Sequence, residues 1–280
     1  MRGWSWLASY ATPFERFAYY VTWTFTGLVL LFLMAPILAV VPLSFNAEPY
    51  FSYPMPGLSL QWYQDFFTND RWTKAVVLSL ELAFCVTILA TILGTLAALG
   101  LARMTLPGRA FILSLLILPM IVPVIITAVA VYLFYAWLGL IGTFPGMVLA
   151  HTVLASPFVV ITVTSTLTTF DWNLARAGAS LGASPVTVFR RVMLPLILPG
   201  MISGALFAWV TSFDEVVVAL FIAGPDQRTL PKQMFSGIRE QISPTITAAA
   251  TVLVLFSTVL LVGAELMRRR SERLRGMTAT

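Results

Sequence analysis

The sequence predicts an all-α integral membrane protein with six transmembrane helices, and three observations carry that fold class. The chain of 280 residues is 59% apolar, with a mean hydropathy of +0.88. Only 10% of its residues are charged, against about 25% in a soluble globular domain. Those charges cluster between long intervals that hold none. A water-soluble chain of this length can bury a large core, but it cannot clothe its surface with so few charges. The same composition excludes a disordered chain, a collagen-like chain and a disulfide-stapled secreted module. Cys85 is the single cysteine, so neither an internal disulfide nor a cysteine metal cluster is available.

Five charge-free intervals, 17–47, 82–102, 110–170, 192–213 and 241–264, are 31, 21, 61, 22 and 24 residues long. A helix crossing a hydrocarbon core of about 30 Å needs about 20 residues. Four intervals therefore take one crossing each, and the third takes two, divided at the turn-like LGLIGTFPG of 138–146. The predicted helices are 23–45, 75–101, 111–135, 144–166, 196–222 and 245–267. Around the first stand Trp4, Trp6, Tyr10, Tyr19, Tyr20 and Trp23, residue types that favour the membrane–water interface. Its apolar run is too long for the core of a cleaved signal peptide. The second helix enters after Lys74 and carries Glu81; the third carries Pro119 and Pro123, which adjust it. The fourth holds His151, the only histidine. Pro195 and Pro199 shape entry into the fifth, which has to continue past Asp214 and Glu215 to include VVVALFIA. The sixth runs into the basic segment RRRSERLR, an anchor for anionic headgroups.

Alternation of sides is tested by the positions of Lys and Arg. One side receives Arg2 and Arg16, Arg103 and Arg109, Arg176, Arg190 and Arg191, and the five C-terminal arginines, 12 in all. The other receives Arg71, Lys74, Arg228, Lys232 and Arg239. The positive-inside rule puts both termini in the cytoplasm. The pI near 9.7 then marks one face of a membrane, and no nucleic-acid partner is expected. The resulting segmentation is an N-terminal cytoplasmic or interfacial stretch (1–22), a six-helix domain (23–267) containing a cytoplasmic segment (171–191), and a basic cytoplasmic tail (268–280).

Two loops carry information. The external loop from Ser44 to Lys74 contains Pro49, Pro54, Pro56 and Gly57, then SLQWYQDFF, where Ser59 caps a short helix through Phe67. Its aromatic residues meet lipid or a partner. In the loop after helix four, Asp171 caps a short helix towards Leu181, and Ser184-Pro185 starts another turn. Between them Ala175, Ala177, Gly178, Ala179, Gly182 and Ala183 make an unusually small surface. Composition alone leaves two uses open: close approach of another protein, or a tight hairpin within this one.

ARAGASLGASPVTVFRRVMLPLILPG, residues 175–200, resembles the coupling segment of binding-protein-dependent ABC-transporter permeases, and in particular the second permease subunits of spermidine/putrescine importers. The matching features are Ala177, Gly178, Leu181-Gly182-Ala183-Ser184, Leu194-Pro195 and Pro199-Gly200, with Gly182 as the motif's glycine. Arg176 stands where an acidic residue is common in that family. Residues 101–123 and 213–253 are similar to the same family, so the resemblance covers nearly the whole chain. It implies the type I ABC-importer permease fold, with Ala175, Arg176, Ala177, Gly178, Leu181, Gly182, Ala183 and Ser184 docking on an ATPase subunit. It further implies a second, different permease subunit, two ATPase subunits, an external or periplasmic solute-binding protein, and a place in the bacterial inner membrane. Putrescine or spermidine is the implied cargo, with another small organic solute as the alternative; a secondary transporter or a non-transporting assembly protein stands further off.

No catalytic residue is expected. The chain has no GxxxxGK[ST] phosphate-binding loop, so it offers no machinery for ATP hydrolysis; the resemblance implies that ATP and Mg²⁺ bind the partner ATPase subunits and that this chain binds no cofactor. His151 has no companion ligands in sequence and reads as packing or a local hydrogen bond. Asp214 and Glu215, adjacent on a helix, point about 100° apart, a poor arrangement for acid–base chemistry. Their position is more informative. Asp214 lies 18 residues beyond Leu196, or about 27 Å along a helix, near the external end. Glu81 falls in the external half of helix two. Acids so placed have to face water, a cavity or a partner helix. With Phe213 and Trp209 they form a candidate path for an organic cation, which pairs with carboxylates and with aromatic faces.

Overall fold

The structure, a computed structural model, describes residues 12–103, 108–240 and 243–274. Trp4, Trp6 and Tyr10, and the end of the basic tail from 275, lie outside the described residues. Among the described residues the elements are helical, apart from one isolated antiparallel bridge between Asn46 and Leu58. The chain forms two compact units, Met1–Phe66 with Ile242–Leu261 and Phe67–Gln241 with Val262–Thr280.

The first unit begins with α1 (Pro13–Leu43), ten residues ahead of the predicted start. The cause is a capping box. Thr12 Oγ1 accepts from Glu15 N at 3.3 Å, Glu15 Oε2 accepts from Thr12 N at 2.7 Å, and Pro13 occupies the first turn. The helix buries none of its residues. After it, the loop is pinned at its base by Trp62 Nε1 donating to Asn46 O at 2.7 Å and Gln61 Nε2 donating to Ala47 O at 2.7 Å. As expected, Ser59 Oγ accepts from the N–H of Gln61, which opens α2 (Gln61–Thr68). α12 (Pro244–Leu274) starts with a buried turn, and Thr245 Oγ1 donates to Asp65 Oδ2 at 2.8 Å.

The second unit is built on three long helices, α3 (Asp70–Arg103), α6 (Phe144–Thr168) and α9 (Leu194–Asp214). α6 is the central one: twelve of its residues are buried, on every side, which is why it lacks a polar face. Its neighbours approach it through small residues. α9 turns Gly200, Gly204, Ala208 and Ser212 inward at four-residue spacing. A methyl group added at Gly204 would stand 2.5 Å from Thr162 Oγ1 and 2.9 Å from Val159 Cα, and one at Gly200 would collide with Thr166 Oγ1. On α3, Ala83, Ala90 and Ala98 are buried, and a methyl at Gly94 would lie 2.7 Å from Val159 Cβ. In hydrocarbon there is no aqueous driving force between helices, so close van der Waals approach through such residues holds them.

Two predicted helices are corrected. Helix three (111–135) is two helices, α4 (Arg109–Ile121) and α5 (Val124–Leu138), bent by 103°. Val122 and Pro123 between them are extended, with ψ of 132° and 128°. Proline forces its predecessor out of the helical region and supplies no N–H of its own. At 13 and 15 residues the halves reach about 20 and 22 Å, short of a bilayer core individually. Helix five (196–222) also breaks: α9 stops at Asp214, Glu215 is extended with ψ 117°, and α10 (Val217–Ile222) follows. Among the described residues four helices are long and apolar enough to cross a membrane, and the bent pair makes a fifth if it is one span; Pro244–Val259 is a shorter apolar stretch.

Candidate coupling surface and translocation path

Residues 171–193 form a helical hairpin: α7 (Trp172–Ser180), α8 (Pro185–Val188) and a π-helical turn, Phe189–Met193. Both predicted caps are in place, Asp171 Oδ1 accepting from Asn173 N at 2.9 Å and Ser184 Oγ accepting from Thr187 N at 3.3 Å. Gly182 supplies the turn. It sits at φ +83°, with Gly182 N donating to Ala179 O at 3.0 Å and Ala183 N to Gly178 O at 3.2 Å. That pair of bonds is the Schellman termination, in which a left-handed residue satisfies the last carbonyls of a helix.

The small surface closes the tight hairpin on one face and leaves the other face exposed. Ala175 is buried, and Gly178 and Ala183 are half-buried against Val188, Val192 and Phe189. Arg176, Ala177, Leu181, Gly182 and Ser184 are exposed, and Arg176 is held by a 2.6 Å bond to Asn173 Oδ1. Leu181 at the tip is 89% exposed, and Val186 beside it is 63% exposed. Together they make an exposed apolar knob on a capped turn. From this hairpin the backbone stays helical, Pro185–Asp214 forming one element of 30 residues through the π turn, about 45 Å long.

At the far end of this element, Asp214 is the exposed last residue of α9, and Glu215 is half-buried just beyond it. The two acids do not play equal parts. Glu215 Oε1 accepts from Val218 N at 2.8 Å, so that carboxylate caps α10. Trp209 and Phe213 stack one turn apart, with centroids 6.2 Å apart and planes 10° from parallel. Glu81 is exposed on α3 and, among the described residues, has no ion pair or hydrogen bond to either acid. Three contacts that sequence reasoning did not foresee hold this region. Gly142 N, in the α5–α6 turn, donates to Ile222 O at 2.8 Å, closing the end of α10. A methyl group at Gly224 would come within 3.3 Å of Gly142 Cα, so the two backbones touch. His151, wholly buried on α6, places Nδ1 3.2 Å from both the carbonyl oxygen and Oγ of Ser212.

On α11 (Leu230–Glu240), Lys232 Nζ donates to Ala223 O at 3.1 Å. Burial, and then the neighbouring charge of Arg228, hold this amine below the ordinary lysine value.

This architecture is that of the type I ABC-importer permeases. The fold superimposes on a chain of a bacterial ABC transporter involved in the import of the acidic polysaccharide alginate, with a TM-score of 0.72 over 93% of this chain and 99% of that one, at 13% identity. The family model for the binding-protein-dependent transport system inner membrane component matches residues 90–275, and the chain belongs to that family. It is 34% identical to the spermidine/putrescine transport system permease protein PotC of Haemophilus influenzae, across 88% of this chain and 96% of that protein. It is 36% identical to the putrescine transport system permease protein PotI of Escherichia coli, across 80% and 82% respectively. The chain is a permease subunit of an ABC importer, a non-catalytic, multi-pass protein of the bacterial inner membrane.

Proposed function

We propose that this subunit forms half of the translocation path of an ATP-driven importer for polyamines such as putrescine or spermidine. A second, different permease subunit completes the path, two ATPase subunits bind ATP and Mg²⁺, and an external solute-binding protein delivers the cargo. The chain crosses the membrane six times with both termini in the cytoplasm, and its C-terminal arginines lie along the inner leaflet. Residues Ala175–Ser184 meet the ATPase, with Leu181 as the knob and Gly182 as the turn that presents it. The unburied α1 and the outward residues of α5, Trp137 at 81% exposure among them, provide apolar surface for the second permease and for lipid.

One observation carries the mechanism: the second arm of the hairpin and the Asp214 end of α9 are the two ends of one continuous helical element, Pro185–Asp214. Closure of the ATPase dimer moves the hairpin, and the rod transfers the displacement to Asp214 and Glu215. Alternating access is then mechanical, a change in helix packing that ATP binding biases and hydrolysis resets. A dication in this path has Asp214 free to pair with it, the stacked faces of Trp209 and Phe213 next to it, and Glu81 as a further external acid. The cargo assignment draws its support from the two polyamine permeases and from that chemistry.

The test is reconstitution of the complete complex in proteoliposomes with its binding protein, followed by ATP-dependent uptake of labelled putrescine and spermidine. Saturable uptake of either is expected. Coupled ATPase activity with no polyamine uptake sinks the cargo assignment and leaves the permease assignment standing.

A further inference from the structure

His151 is the one histidine of the chain, and it lies in the middle of the most enclosed helix, with no exposed surface. Its ring reaches across to α9 at Ser212, in the last turn before the break. A helix that stops leaves its final carbonyls without partners. Among the described residues no backbone N–H donates to the carbonyl of Ser212, and His151 Nδ1 stands 3.2 Å from it. The Nε2 atom is buried with no partner.

A neutral imidazole has one N–H and one bare nitrogen. With the proton on Nδ1, the ring donates to the orphan carbonyl, the Ser212 hydroxyl can turn its proton to the i−4 carbonyl of its own helix, and only a lone pair on Nε2 is left unpaired. With the proton on Nε2, Ser212 Oγ–H donates to Nδ1, and both a carbonyl and an N–H are stranded in the core. The first arrangement leaves fewer buried polar groups unsatisfied.

We propose that His151 is a positioning residue that locks the end of the coupling rod to α6, so that α6 and α9 move as one body. The register of the pair is fixed at three levels: Gly200 against Thr166, Gly204 against Thr162 and Val159, and Ser212 against His151. The two lower contacts are apolar or steric and resist approach without resisting sliding. The bond at Ser212 is directional, and axial slip of the rod breaks it. It also adjoins the Glu215 cap of α10, whose other end is bonded by Gly142 just ahead of α6. The break in helix five is therefore held from α6 and its leading turn.

The experiment uses the full importer complex with Cys85 replaced by serine and spin labels at the exposed Leu149 of α6 and Val210 of α9. The distance between labels is measured without nucleotide and with ATP trapped. A single, unchanged distance is expected for the native residue. Asn places an amide N–H where Nδ1–H stands, so His151→Asn keeps that single distance. His151→Gln places its amide at the Nε2 position, and His151→Leu has none; both develop a second distance shifted by about one residue rise, 1.5 Å, or more. Ser212→Ala keeps the carbonyl and keeps the distance. A native-like distribution in His151→Leu overturns the proposal, and so does retention by Gln with loss by Asn. Should the substituted subunits fail to assemble, the ¹⁵N spectrum of the native complex decides, with ¹⁵N-histidine incorporated in this subunit alone, whose one histidine is His151. A protonated Nδ1 and a bare Nε2 are expected, and the reverse tautomer overturns the assignment. Neither readout involves cargo, so its failure is separable from failure of the polyamine reading.

Discussion

Gly182 and Leu181 stand side by side and do different jobs. Gly182 has open space around it, but at φ +83° any L side chain carries a cost of about 1–2 kcal/mol. Gly182→Val is therefore expected to deform the hairpin turn while the chain still inserts, lowering ATP-driven uptake about five- to thirtyfold on the scale of that strain. Leu181→Ala changes no turn geometry and removes only an outward side chain. It should leave subunit assembly intact and weaken ATPase retention on purification; full retention would remove Leu181 from the docking surface. Lys232 offers a pH readout. Its amine is held below the ordinary lysine value by burial and by Arg228, so the folded chain holds its proton less firmly than the unfolded chain does. The group's penalty on stability is present at low pH and is relieved as pH rises through the lowered value. Acylation of Lys232 in the native complex, followed by mass spectrometry across pH, should show a midpoint below that of the denatured chain.

Among the elements, α9 depends on its glycines. Gly204→Leu drives a branched side chain into Thr162 and Val159 of α6. The expected loss is about 1–3 kcal/mol of overpacking, read as a lower thermal midpoint of the purified complex. Gly100, exposed near the end of α3 with nothing within 4 Å of its would-be side chain, is the control, and Gly100→Leu should leave the midpoint unchanged. Equal midpoints for the two substitutions would contradict the packing described for α6 and α9. Small residues four apart on α9 are legible in the sequence, as is the TPFE capping box that starts α1 early. The partners across the interface are not, because 3.6-residue periodicity specifies a face and leaves open what meets it.

For the whole molecule, orientation is the open quantity that cysteine chemistry can fix. In the Cys85→Ser background, single cysteines at exposed Arg176 and Ser180 should react with an impermeant thiol reagent only from the cytoplasmic side. Those at exposed Gly139 and Asp226 should react only from the outside. Labelling of both pairs from one side contradicts the six-span arrangement. That arrangement has the hairpin and the acid-bearing break on opposite faces, as a coupled importer requires.

Composition, charge spacing and local capping signals were sufficient for an all-helical membrane protein, its apolar segments and the two caps of the 171–193 segment. These are local properties: hydropathy over about 20 residues, and caps formed within three or four positions. The breaks at Val122–Pro123 and Glu215–Val216 were decided by tertiary structure. A proline inside a span can bend, adjust or end a helix, and neighbouring helices determine which. Asp214 and Glu215 look alike as a sequence pair. They part only where the chain breaks, which commits Glu215 to capping α10 while His151, more than sixty residues away in sequence, takes up the carbonyl of Ser212. A buried polar group takes whichever partner the packing brings to it, and that partner is a fact of three dimensions.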